Sequence, residues 1–176
     1  MESVIWNCLP LVRRSAQLVS GIEVHGTDNF IERSGESLRL LQPLEEFAVI
    51  RANIAFIRQG RRSGMKAWLA KPTFLVGKPT WSDSAVWFAG AIAHDAYHAK
   101  LYRDAKKLSG GKEPDADTWT GAVAEKKCLA FQRQILSHIN ADQEIIDYID
   151  EYRANPTYQG RNRGWRSWLD YLKRRW

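Results

Sequence analysis

The chain has little sulfur: two cysteines, Cys8 and Cys128, and two methionines in 176 residues. Two cysteines make no disulfide framework, so a reduced, cytoplasmic compartment is the expectation. Long apolar runs are missing too. None approaches the roughly 18 residues that a bilayer-spanning helix requires. The opening stretch MESVIWNCLPLVRR carries Glu2 near its start and has no basic segment before its short apolar run, so it does not read as a signal peptide. Internal repeats and low-complexity segments are absent. Outside its last residues the chain also lacks a charge bias. The net charge is +6, and residues 161–176, RNRGWRSWLDYLKRRW, hold six Lys/Arg against Asp170 alone. Any nucleic-acid or anionic-surface reading must therefore rest on this basic, aromatic tail and not on the body.

What is present describes a soluble globular chain. Apolar residues make up 44% and charged residues 26%, and the length suits one domain spanning 1–176 with a real core. Eight tryptophans imply a core or binding face rich in large rings. Residues 16–25 combine β-branched residues with partial alternation and predict a strand. Residues 43–59, with Phe47, Ile50, Ile54 and Ile57 at helical spacing and Gly60 behind them, predict a helix. Two short strands are expected at about 65–70 and 73–76, joined through Lys71-Pro72. Ser82, Asp83 or Ser84 caps a helix reaching about Lys107. Further helices are predicted from about Thr118 to Ile139 and from about Asp142 to Arg153. The expected class is α+β: a helix-rich single domain with a small β-sheet.

The chemistry concentrates in AIAHDAYHAKLYRDA, residues 91–105. His94 and His98 lie four apart, so a helix projects both from one face. Two imidazoles so placed suit one metal ion, and Asp95 follows the first directly, as the acid does in His-Glu-x-x-His peptidase helices. The preceding VWFAGAIA is almost wholly apolar, so the pair enters a core where unsatisfied imidazoles are costly. Downstream, Glu125, Cys128/Leu129, Gln132, Ile135/Leu136 and Ile139 share one helical face. Glu125 heads that apolar stripe and needs a partner there, unless it sits at a solvent-facing end or pairs with an arginine. His94, His98 and Glu125 together make a His₂Glu set with a position left for water, and Asp95 is placed to take that water's proton.

AIAHDAYHAKLY followed by TGAVAEKKCLAFQ resembles the gluzincin type of zinc metallopeptidase, and among these its small, minimal members. The resemblance covers about residues 44–140. It implies a zincin-like active-site helix, zinc as cofactor, a peptide or protein substrate, and a small sheet offering an edge to that substrate. It carries over His94, His98 and Glu125 as ligands and puts Asp95 in the place of the catalytic glutamate. Asp95 is the departure: its carboxylate is retracted by about 1.5 Å, one C–C bond, relative to glutamate.

Neighbouring residues have two readings each. Tyr97 and Tyr102 lie on the histidine helix, where either can donate to an oxyanion or simply pack. Cys128, one turn beyond Glu125, can replace it as ligand or serve as a buried core residue. His25 and His138 read as structural or exposed. The segments around Trp68 and Phe74 offer either a peptide-pairing edge or plain core strands. Two other functions compete. The doublet His94-Asp95 suits a metal-dependent HD phosphohydrolase, but no histidine lies between 25 and 94 and the reading leaves His98 and Glu125 idle. A non-catalytic, metal-stabilised scaffold that binds through Trp165, Trp168, Leu169 and Leu172 of the tail is the third reading, set against a tail that packs on the core.

Overall fold

A computed structural model describes residues 15–154, and every structural statement below refers to them. The tail at 161–176, with its packing and binding readings, lies outside the described residues. The elements run β1 (Ser15–Val19), β2 (Ile22–Gly26), α1 (Asp28–Leu41), α2 (Phe47–Asn53), β3 (Phe56–Gln59), β4 (Gly64–Lys66), β5 (Thr73–Val76), α3 (Lys78–Trp81), α4 (Ala85–Leu108), α5 (Ala116–Thr120), α6 (Ala122–His138) and α7 (Gln143–Ala154). The class is the expected one, helix-rich α+β with a small sheet.

The sheet has the order β1-β2-β3-β5-β4. Its centre, β2-β3-β5, is parallel, and the two outer strands β1 and β4 are antiparallel to their neighbours. One face is apolar. Ile22 and Val24 of β2, Ile57 of β3, Met65 of β4, and Phe74 and Val76 of β5 are buried in a core shared with Phe30, Leu38 and Leu41 of α1 and Phe88, Ile92 and Ala96 of α4. A second cluster joins Trp87 of α4, Leu129 and Leu136 of α6, and Ile146 and Ile149 of α7. Helix α4 thus touches the sheet on one side and α6 on another, which is why its sequence is apolar nearly all round.

Several boundaries differ from the sequence expectation for identifiable reasons. The single strand expected at 16–25 is a hairpin. Ser20 and Gly21 both have positive φ, 50° and 83°, the two-residue turn that matches strand twist. The helix expected over 43–59 ends at Asn53. Ile54 turns extended (φ −124°, ψ 120°) and the chain enters β3, so Ile57 reaches the core from a strand. The strand expected at 65–70 is confined to Gly64–Lys66. The helix expected from Thr118 to Ile139 is two, divided at Gly121, which ends α5 and begins α6. Helix α1 is an addition, started by Thr27, whose side chain accepts from the Phe30 amide. Among the three cap residues considered for α4, Ser84 serves, accepting from the Trp87 amide at 3.0 Å.

The approach of α4 to α6 is set by a missing side chain. A Cβ on Gly90 would lie 3.0 Å from Leu136 Cδ2 and 3.3 Å from Gln132 Nε2. The backbone of α4 therefore sits directly against two buried α6 residues, one turn before His94. We expect Gly90→Val to separate the helices and to lower unfolding free energy by about 1–3 kcal/mol, the usual cost of overpacking. Denaturant titration reads this directly. An unchanged midpoint would show that the helix pair has slack.

Candidate metal centre

Helix α4 supplies His94 and His98, and α6 supplies Glu125 on its first turn. The structure brings these three together. The two imidazoles face each other with Nε2 to Nε2 at 3.0 Å. Glu125 reaches both, Oε1 to His94 Nε2 at 3.3 Å and Oε2 to His98 Nε2 at 3.1 Å. All three side chains are about nine-tenths buried, at 13%, 10% and 10% exposure. Glu125 faces the histidine helix and is about nine-tenths buried, with both imidazoles among its partners.

The outer nitrogens explain why the inner ones matter. His98 Nδ1 lies 2.6 Å from the backbone carbonyl of Trp119. A carbonyl only accepts, so Nδ1 carries the proton and donates. His94 Nδ1 lies 3.0 Å from Gln132 Oε1 and donates in the same way. In their neutral forms both rings thus turn an unprotonated Nε2 toward the other. Two lone pairs 3.0 Å apart, beside a carboxylate, repel unless a cation lies between them. That cation is a proton or a metal. Outer-nitrogen hydrogen bonds of this kind are what metal-ligating histidines nearly always have. The inner distances also fit: ligands on a tetrahedral zinc at about 2.0–2.1 Å stand roughly 3.3 Å apart.

Protonation follows the same logic. Burial opposes a charged ring at His94 and at His98, but Glu125 outweighs it, and both pKa values are raised above the usual 6.5. For Glu125 burial works toward the neutral form, yet the two imidazoles hold its carboxyl far below the usual range. Without metal the centre is a buried ion-pair cluster. With metal the imidazoles are neutral.

Asp95 is half-buried on α4 beside this cluster. Burial pushes its carboxyl up to about 6, against the opposing pull of His94 and His98. Cys128 is fully buried one turn along α6 from Glu125. Burial pushes its thiol up to about 12, with His94 working the other way. The ligand atoms of His94, His98 and Cys128 all lie within 4.8 Å of one another. Two ligand sets therefore share the histidine pair, one completed by Glu125 and one by Cys128.

The remaining candidates are placed elsewhere. Tyr102 is buried, but its hydroxyl donates to Glu113 Oε1 at 2.6 Å and accepts from Lys106 Nζ at 3.1 Å, which ties the loop after α4 to the helix. No hydrogen bond joins it to the histidine pair. Tyr97 stacks on Phe131 with ring centroids 4.9 Å apart. His25 pairs with Glu23 at 2.6 Å on β2, and His138 with Glu46 at 3.1 Å. Phe74 is a core residue, whereas Trp68, just after β4, is half exposed and meets Trp119 edge-on with centroids 6.0 Å apart. Two supports of the centre have no named role in the sequence reading. Gln132 lay on the predicted α6 stripe with Glu125, and that position is the signal that finds it. The Trp119 carbonyl has no sequence signal, because it is backbone.

Gln132 also carries a cost. With Oε1 on His94, its Nε2 is buried without a partner. An unpaired buried donor costs about 1–3 kcal/mol. We expect Gln132→Leu to leave the fold intact while weakening zinc binding by about 10–100-fold, the range for outer-shell partners. Titration calorimetry with zinc reads the change, and equal affinity would remove Gln132 from the centre. The pH dependence has a definite sign. A raised histidine pKa stabilises the metal-free protein fully below 6.5, and this is lost as pH rises through the folded values. Zinc needs neutral imidazoles, so its stabilisation grows over the same range. The melting temperature without metal should fall as pH rises above 6.5 while the increment on adding zinc rises. A zinc increment that shrinks with pH would contradict this centre.

Comparison with known proteins returns no matching family model, no matching curated protein and no matching solved structure.

Proposed function

We propose that the protein is a zinc-dependent hydrolase of peptide bonds, with His94, His98 and Glu125 holding the metal and Asp95 moving the proton. The observation that carries the reading is the pair of Nε2 atoms held 3.0 Å apart with Glu125 reaching both. Imidazole and carboxylate also suit iron, nickel or copper, but a buried set of this composition suits zinc best. Zinc, when bound, supplies a Lewis acid that polarises a carbonyl and acidifies water. The rest of the chemistry belongs to the chain. Asp95, with a pKa near 6, is ionised at neutral pH and close enough to it to accept a proton from an attacking water and return it to a leaving amine. The apolar enclosure strengthens every charge interaction among these groups. Strand β4 is an edge strand of the sheet and packs against α4, the helix that carries the histidines, and an edge strand is where an extended chain can pair.

A second reading rests on a specific observation. The centre is about nine-tenths buried, and Cys128 lies within ligand reach of the same histidines. This favours a metal-stabilised scaffold without chemistry. The phosphohydrolase reading lacks support of this kind: the upstream His25 is engaged with Glu23 on β2, and His98 and Glu125 belong to the cluster.

Asp95→Asn separates hydrolase from scaffold. Asparagine keeps the shape and cannot take the proton. The variant should retain zinc and lose hydrolysis of a denatured protein or a fluorogenic peptide library by about 10²–10⁴-fold. Wild-type cleavage unchanged by the substitution would remove Asp95 as the base. Zinc-loaded wild type with no cleavage of either substrate would leave the scaffold.

A further inference from the structure

We infer that Cys128 is a fourth protein ligand, so that the resting centre is closed by a thiolate beside His94, His98 and Glu125. The inference rests on the metal reading above and concerns how that centre is governed.

Three observations converge on the sulfur. First, Cys128 follows Glu125 by three residues on α6, so both project toward the histidines of α4 from adjacent turns. Its sulfur and the two histidine nitrogens already lie within 4.8 Å of one another. Sulfur and nitrogen on one tetrahedral zinc stand roughly 3.6 Å apart, so closure needs an inward shift on the order of 1 Å. Second, the sulfur is available. Cys128 is fully buried on the α6 face turned to the histidines and forms no disulfide. Third, the charges balance. Two neutral imidazoles, one carboxylate and one thiolate neutralise a divalent cation within the ligand set, whereas the histidines and Glu125 alone leave one positive charge that only the half-buried Asp95, outside the set, could offset. The side chains there are about nine-tenths buried, so a residual charge is costly and a neutral centre is favoured. On binding, the sulfur–hydrogen bond gives way to a sulfur–metal bond and the proton passes to solvent.

The consequence is latency. A thiolate in the fourth position leaves no place for water, and hydrolysis then requires the sulfur to withdraw. Cys128 would thus be the element that decides whether the centre is structural or open.

Cobalt(II) substitution tests this without relying on activity. The probe is cobalt chloride added to the full chain stripped of metal, read by absorption spectroscopy and by cobalt stoichiometry. The wild type should bind about one cobalt and show a thiolate-to-cobalt charge-transfer band in the near ultraviolet, together with intense visible bands of a tetrahedral ion. Cys128→Ser should still bind cobalt but lose the charge-transfer band, and its affinity should fall by at least about the tenfold seen for outer-shell losses. Cys128→Ala gives the same readout if the serine variant does not fold. One cobalt bound by the wild type without the thiolate band overturns the inference and leaves the histidine centre standing. No cobalt bound at all overturns both.

Discussion

Two imidazoles on successive turns of α4 are held with their Nε2 nitrogens face to face at 3.0 Å, and Glu125 reaches both. With both rings neutral that contact is repulsive, and the buried Glu125 beside it adds a negative charge. One cation resolves both problems. Burial opposes a charged ring at each histidine, but Glu125 favours it and raises both above their usual pKa. A metal would compete with protons for the same lone pairs.

The geometry comes from how α4 and α6 pack. Gly90 lets the helices approach until Gln132 reaches His94 and Glu125 reaches both rings. Trp119, in the short helix α5 that precedes α6, fixes His98 through its carbonyl. The unpaired amide nitrogen of Gln132 is a local cost of this arrangement. The same helix pair brings Cys128 into range, so one packing decision places four ligand-bearing side chains around one point. Asp95 and Cys128 lie beside the histidines on these two helices.

Much of this was legible in the sequence because it is local. The i,i+4 histidines, the apolar run before them and a carboxylate at the head of an apolar stripe are all periodicity arguments, and periodicity is what a helix preserves. The class and the small sheet followed for the same reason. The boundaries that moved are those where periodicity is ambiguous. Ile54 and Ile57 continue the helical spacing of Phe47 and Ile50, yet they lie beyond the helix, because Asn53 ends α2 and the next residues join the sheet. The hairpin at Ser20-Gly21 needed two positive φ angles that the strand-like composition around it concealed. The tautomer of His98 was out of reach, since it depends on a backbone carbonyl, and the engagement of Tyr102 by Glu113 depends on a loop whose path no spacing specifies.

The central claim is that a divalent metal belongs between His94 and His98. The most direct test is elemental analysis of untagged protein, with the full chain compared to His94→Ala and His98→Ala after equilibration with zinc and removal of unbound ion. The account predicts about one zinc per wild-type chain and a loss of most of it in both variants, because each removes a ligand that ligation energy depends on. Wild-type protein that holds no metal, or variants that hold as much as the wild type, would contradict it.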